Sequence, residues 1–150
     1  MGAALLRGIV KSGLMSPGHI MASDRSQARR QLMRNQLKIK TSRSNTEAIG
    51  KADLVILAVK PQILDKVLIE IKDAIPPEAL IVSIAAGYPT ALIEQLLGGK
   101  PRVIRAMPNI TATVRMGATA LCKGRWARRR EMGAARRLFE SCGLVEEVEE

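Results

Sequence analysis

Residues 53–59, Asp-Leu-Val-Ile-Leu-Ala-Val, constrain this chain more than any other stretch: after Asp53 every position is apolar, and the run stops at Lys60-Pro61. A strand with one wet face alternates polar and apolar residues. A run with no polar position suits a strand covered on both faces, the condition of a parallel sheet between helix layers. Such a strand is expected at the centre of its sheet. Pro61 has no N–H to donate and a fixed φ, so it suits the first turn of an outgoing helix. That helix, over 61–75, carries Ile63, Leu64, Val67, Leu68 and Ile71 on one face.

The same rhythm runs along most of the chain. Residues 20–23 form a short apolar run that halts at Ser23-Asp24-Arg25 and precedes a basic helix over 27–36. Residues 37–41 alternate as a half-exposed strand does, and Ser44 with Glu47 three positions on reads as a capping box opening a short helix over 44–52. Residues 79–87 read as a strand and a glycine-bearing corner, 89–97 as a helix, and 102–109 as a further strand and corner. Ahead of these stands a helix over 2–14, with Leu5, Leu6, Ile9, Val10 and Leu14 on its buried side and Gly13 ending it. Behind them, strands over 117–122 and 144–148 flank a helix over 128–142. Strands alternating with helices return the chain to one edge each time. The expectation is therefore one α/β domain, a Rossmann-like, doubly wound parallel sheet with right-handed crossovers.

Composition narrows the function. Aromatic residues are only 2% of the chain, leaving aliphatic side chains to fill the core. Cys122 and Cys142 stand twenty positions apart with His19 the single histidine, which assembles no metal site and reads as two buried thiols in a reducing compartment. The net charge of +10 gathers in residues 1–43 and in Arg-Trp-Ala-Arg-Arg-Arg at 125–130. Such charge suits phosphates. One tryptophan, however, is a thin supply of stacking platforms, which argues against nucleic acid and for solvated helix faces with an anionic small ligand. No run reaches the length of a membrane span. A basic, acid-poor start also fits a transit peptide, but helical spacing already accounts for it, and Leu6 breaks the myristoylation pattern after Gly2.

In an open parallel sheet, ligands bind outside the carboxyl ends of the strands. Four expected strands end there in comparable ways: Ser23-Asp24-Arg25; Ala58-Val59-Lys60-Pro61; Ser83 followed by Ala85-Ala86-Gly87; and Met107-Pro108-Asn109. Small residues let a flat ring approach the backbone, while Ser, Arg, Lys and Asn donate to phosphate, ribose and amide. Together they favour a nucleotide cofactor. Arg25 suits the 2′-phosphate of NADP, whereas Asp24 prefers the free ribose hydroxyl of NAD, so both remain open. No catalytic residue is assigned: Ser83 lacks the glycines of a nucleophile elbow, and no carboxylate pair stands at a strand end.

The segments IMASDRS, TEAIGKADLVILAVKPQ, LIVSIAAG, RVIRAMPN and GATAL, in this order and spacing, resemble the nucleotide-binding domain of pyrroline-5-carboxylate reductase. The resemblance implies hydride transfer from NADPH or NADH to a cyclic imine carboxylate, giving proline, in the cytoplasm. It places Ser23, Asp24 and Arg25 by the adenosine ribose and Asn45 near the adenosine half. Ala58, Val59, Lys60 and Pro61 would run along the cofactor, with Ala85, Ala86 and Asn109 toward the nicotinamide.

The departures carry expectations too. The family has a first strand and a glycine-rich phosphate loop ahead of the opening helix, of which Met1-Gly2 matches only the tail. The fold is thus expected to be N-terminally truncated and to lack its central strand, leaving two strand edges unpaired and the pyrophosphate without backbone donors. The helical C-terminal domain that completes the imine pocket and forms the homo-oligomer is likewise expected to be absent. Ile110-Thr111 replace the family's Thr-Pro after Asn109. Weak cofactor binding and no turnover are expected of the chain alone. Prephenate-type and β-hydroxyacid dehydrogenases are the nearest enzymatic rivals; the alternative from another class is a non-catalytic nucleotide-binding or basic partner-binding module.

Overall fold

The structure, a computed structural model, describes residues 1–109 and 117–150. Helix α1 (Gly2–Lys11) buries Ala4, Leu5, Gly8 and Ile9. It stops earlier than the spacing predicts: Ser12 closes it and Gly13 turns at φ 73°, so Leu14, expected in the core, is left 43% exposed. A single 3₁₀ turn at Pro17–His19 leads into β1 (Met21–Ser23) and α2 (Gln27–Leu37). The strand expected over 37–41 is shorter. Leu37 ends α2 as its buried residue, Lys38 takes the left-handed conformation at φ 58°, and β2 is only Lys40–Ser42.

Helix α3 (Asn45–Ile49) keeps half of its capping box. Ser44 Oγ accepts from the Glu47 N–H at 3.2 Å, but the Glu47 carboxylate takes the Ser42 hydroxyl instead of returning to the cap. Ser42 Oγ in turn accepts the Ser44 N–H at 2.9 Å, closing the circuit through a third residue. The N–H groups of Ser44 and Glu47 thereby find side-chain acceptors.

Strand β3 (Leu54–Leu57) is followed by α4 (Pro61–Ile71), β4 (Leu80–Ser83), α5 (Thr90–Leu97), β5 (Arg102–Pro108), β6 (Gly117–Lys123), α6 (Arg129–Glu140) and β7 (Gly143–Glu147). The strands form a two-stranded parallel sheet, β1-β2, and a five-stranded sheet in the order β3-β4-β5-β6-β7. The α/β class and the mostly parallel sheet agree with the sequence reading, with two corrections. First, β3 lies at an end of its sheet, not at its centre, and its burial alternates: Val55 and Leu57 are buried, Leu54 and Ile56 half-buried. Second, β6 runs antiparallel to β5, because eight residues separate them and a parallel return needs a crossover of a dozen or more. Strand β7 is parallel to β6.

Among the described residues, no strand pairs with the edge of β3 facing away from β4 or with the edge of β1 facing away from β2. In a parallel strand the N–H and C=O of one residue point to the same side. Asp53 O and Leu57 O accept from Leu80 and Ile84, so the main-chain groups of Leu54 and Ile56 face outward. Likewise Ile20 O and Asp24 N–H engage β2, turning Met21 and Ser23 outward.

The five-stranded sheet separates two apolar layers. One face packs α1 and α6 through Leu5, Ile9, Val82, Ile104, Leu138 and Phe139. The other packs α4 and α5 through Leu64, Leu68, Ile81, Ile93 and Val103. Leu64 and Leu68 are fully buried, worth about 2 kcal/mol each; Ile63, expected beside them, is 44% exposed at the margin of the helix stripe.

Candidate functional site

Because β3, β4 and β5 are parallel, their carboxyl ends share one rim. After β3 the backbone emerges at exposed Ala58, half-buried Val59 and exposed Lys60, with Pro61 opening α4. Lys60 is the cap of α4 and its C=O accepts the Ile63 N–H at 3.1 Å. Its side chain makes no capping bond and, among the described residues, no ion pair. A Cβ added at Gly2 would lie 2.9 Å from the Ala58 Cβ, so the first turn of α1 is fitted against this strand end and tolerates no side chain there.

After β4, Ser83 is fully buried and its Oγ accepts the Ala85 N–H at 3.3 Å, shaping the corner from inside. Ala85 is buried, and Ala86 and Gly87 are exposed on the rim. Tyr88 then anchors the corner to α4 by donating its hydroxyl to Asp65 Oδ1 at 2.6 Å. Burial, followed by that bond and the Asp65 charge, pushes the Tyr88 phenol up to about 12. After β5, exposed Asn109 donates its N–H to Ala118 O at 3.1 Å and accepts the Ala118 N–H at its Oδ1 at 3.3 Å. The side chain is therefore held over the join with β6. Ile110 and Thr111 lie outside the described residues.

The end of β1 forms a second group. Ser23 Oγ donates to Asn45 Oδ1 at 2.7 Å, and Asn45 Nδ2 donates to Glu70 Oε2 at 3.1 Å, which ties β1 to the first turn of α3 and to α4. Asp24 Oδ1 accepts the Ser26 N–H at 2.7 Å, and Arg29 stands 3.7 Å from its other oxygen. Arg30 Nη1 donates to Asp24 O and Arg25 O at 2.6 and 3.0 Å, and the side chain of Arg25 is exposed. Ala58–Pro61, Ala85, Ala86 and Asn109 thus come together on three neighbouring strand ends. Ser23, Asp24, Arg25 and Asn45 form their own cluster on the two-stranded sheet.

One constellation was invisible in the sequence. Both oxygens of Glu150 accept from the Thr90 N–H, at 3.0 and 3.1 Å, its Oε2 takes the Thr90 hydroxyl, and its Oε1 takes Arg105 Nη1 at 3.0 Å. Burial alone would raise the Glu150 carboxyl, but these bonds from Thr90 and Arg105 together hold it below the ordinary carboxylate range. Cys122 nearby is pushed up by burial and then by the Glu150 charge, with Arg105 opposing, so it remains a thiol. Sixty positions separate Thr90 from Glu150, and no local pattern announces the pair. Both cysteines are free and buried, and no group of three metal-binding side chains occurs among the described residues.

Known proteins share this arrangement. A family model described as NADP oxidoreductase, coenzyme F420-dependent, matches residues 1–87. The pyrroline-5-carboxylate reductase of Methanosarcina acetivorans is 39% identical over 150 residues, which is 100% of this chain and 56% of that protein. A solved pyrroline-5-carboxylate reductase from Coxiella burnetii superposes with a TM-score of 0.94 at 32% identity, covering 98% of this chain and 54% of that one. The Plasmodium falciparum pyrroline carboxylate reductase, solved with NADP bound, gives 0.87 at 25% identity, covering 99% and 53%. The chain spans about half the length of the curated relatives it matches. With a mostly parallel sheet, small residues along its carboxyl rim and a likeness running end to end, the chain belongs to the family of NADP oxidoreductases that this model describes, with pyrroline-5-carboxylate reductases as relatives over its whole length.

Proposed function

We propose that the carboxyl rim of β3, β4 and β5 is a dinucleotide crevice. In this reading residues 1–150 are the NADP-binding part of an oxidoreductase that reduces 1-pyrroline-5-carboxylate to L-proline, in the cytoplasm. The observation that carries the reading is the convergence of Ala58–Pro61, Ala85, Ala86 and Asn109 on three adjacent strand ends. Ala58 and Ala86 are exposed and carry only a methyl group, which leaves the backbone open to a flat ring. Two free, buried cysteines agree with a reducing compartment.

The side chains present fit NADP. Arg25, Arg29 and Arg30 surround the end of β1, and Asp24, the residue that disfavours a 2′-phosphate, already has Oδ1 on the Ser26 N–H and its other oxygen beside Arg29. Arg25 would hold the 2′-phosphate, the Ser23–Asn45 pair the ribose, Lys60 the phosphates, and Ala86 with Asn109 the nicotinamide half. NADH would take the same crevice without the Arg25 contact. Bound NADPH supplies the hydride; this chain's residues bind and orient the ring and keep water from one face of it. Other residues of the full protein would contribute the imine pocket and the homo-oligomer contacts, so the 150-residue chain alone is expected to bind dinucleotide weakly and to leave the imine unreduced.

Calorimetric titration with NADPH and with NADH tests this. NADPH should bind more tightly than NADH, and Arg25→Ala should remove most of that preference, about a tenfold loss for one charge-assisted phosphate contact. The same chain, supplied with NADPH and 1-pyrroline-5-carboxylate, should show no fall in absorbance at the reduced-nicotinamide band. Binding of an oligonucleotide with steep salt dependence, and of neither dinucleotide, would instead identify a basic binding module.

A further inference from the structure

The amino-terminal rim of the same sheet, opposite the crevice, carries a second feature that the dinucleotide reading does not use. A cleft of about 450 Å³ opens there between the segment after α4, the segment joining α5 to β5, and the approach to α6. Its charged lining is four cations, Lys72, Lys100, Arg102 and Arg128, against the single carboxylate of Glu78. Its one aromatic wall is Trp126.

Arg102 is fixed. Its guanidinium pairs with Glu78 and lies 3.5 Å from Glu131 Oε1, and Glu131, itself buried, accepts the Arg128 N–H at 2.9 Å through its other oxygen. The start of β5 and the start of α6 are thereby locked together as a floor. The other three cations have no such partner: Lys72, Lys100 and Arg128 form no ion pair among the described residues. Trp126 is set in place from its faces, with Lys100 Nζ at 5.2 Å and Arg125 Cζ at 4.9 Å from the ring centroid.

Stability does not account for this charge. Arg128, Arg129 and Arg130 stand at the opening of α6, where the helix dipole favours anions and where Glu131 is the only acid of the first turn. Cations repel one another and the dipole there, and Glu131 is the single carboxylate set against them in that turn. Gly98 and Gly99, both at positive φ, line the mouth with bare backbone and leave open space where side chains would stand. The cleft has the size of a small-ligand site rather than of a groove for a long polymer.

We propose that this cleft is a second anion site, separate from the dinucleotide crevice, and that it takes a compact ligand bearing several phosphate groups. Lys72, Lys100 and Arg128 would neutralise the phosphates, Arg102 would shape the floor, and Trp126 would form the wall. Two sources share this chemistry, a free oligophosphate and the triphosphate end of a nucleotide.

Trp126 is the only tryptophan of the chain, so its fluorescence reports on the cleft directly. The full chain is titrated at constant ionic strength with inorganic tripolyphosphate and, in a second arm, with ATP, with calorimetry on the same samples in case the ring is silent. A saturable response is expected, weakened at least about fivefold in K100Q/R128Q and unchanged in R34Q, which alters the charge of remote α2. Circular dichroism confirms that the variants are folded. Tighter binding of ATP than of tripolyphosphate assigns the nucleotide source, and the reverse assigns the free oligophosphate. No saturable binding in either arm overturns the proposal, as does equal affinity in K100Q/R128Q. A third arm with single-stranded oligonucleotides overturns it too if affinity climbs with length beyond the span of the cleft.

Discussion

A methyl group added at Gly8 would lie 2.4 Å from Cys142 Sγ, well inside contact distance, because α1 crosses close to the end of α6 at this point. Two effects oppose each other in Gly8→Ala. Helix propensity favours alanine by about 1 kcal/mol, whereas forcing a methyl group into a filled space costs about 1–3 kcal/mol. The buried setting decides for the clash, and Gly8→Ala should lower the stability read from urea unfolding by about 1 kcal/mol. The sign should reverse in a Cys142→Ala background, since that substitution removes the obstructing sulfur. Ala58, Lys60, Ala86 and Asn109 were readable as rim residues because each follows an apolar strand. The Glu150–Thr90 contact was not, since long-range pairing of single polar residues leaves no periodic trace.

Pro89 gives α5 no side-chain cap, and Glu150 takes that place from the far end of the sequence. Its carboxyl is held below the ordinary range, so its contribution is present above the unfolded value near pH 4 and is lost as the pH falls through the folded value. Glu150→Gln should therefore be less stable than the parent chain at neutral pH. The gap should close on acidification below about pH 4, as followed by thermal unfolding across a pH series. At this scale the sequence was most legible at helix starts, as at Pro61 and Ser44, while the helix expected over 61–75 ends at Ile71. It misled where an element ended early: α1 stops three residues before Leu14, and the alternation of 37–41 concealed the left-handed turn at Lys38.

Among the described residues, β1 and β3 are parallel strands with an open edge. Leu54 and Ile56 in β3 turn their main-chain groups outward, while Val55 and Leu57 face β4. Hydrogen exchange read residue by residue should show the Leu54 and Ile56 amides exchanging at least about tenfold faster than those of Val55 and Leu57, and uniform protection along β3 would show the edge to be covered. An all-apolar strand was read as central because sequence reports burial by side chains, not pairing of backbone. The reversal of β6 was equally hidden, since it follows from the shortness of its connection to β5 and not from any residue within the strand. The sheet also divides the interior into two layers built from different side chains, Leu68 and Ile93 on one side and Phe139 and Ile104 on the other. Lineages can therefore redraw one layer through successive compensating changes while the other keeps its inherited packing, so the helices carrying the rim and those behind the sheet are free to diverge at different rates.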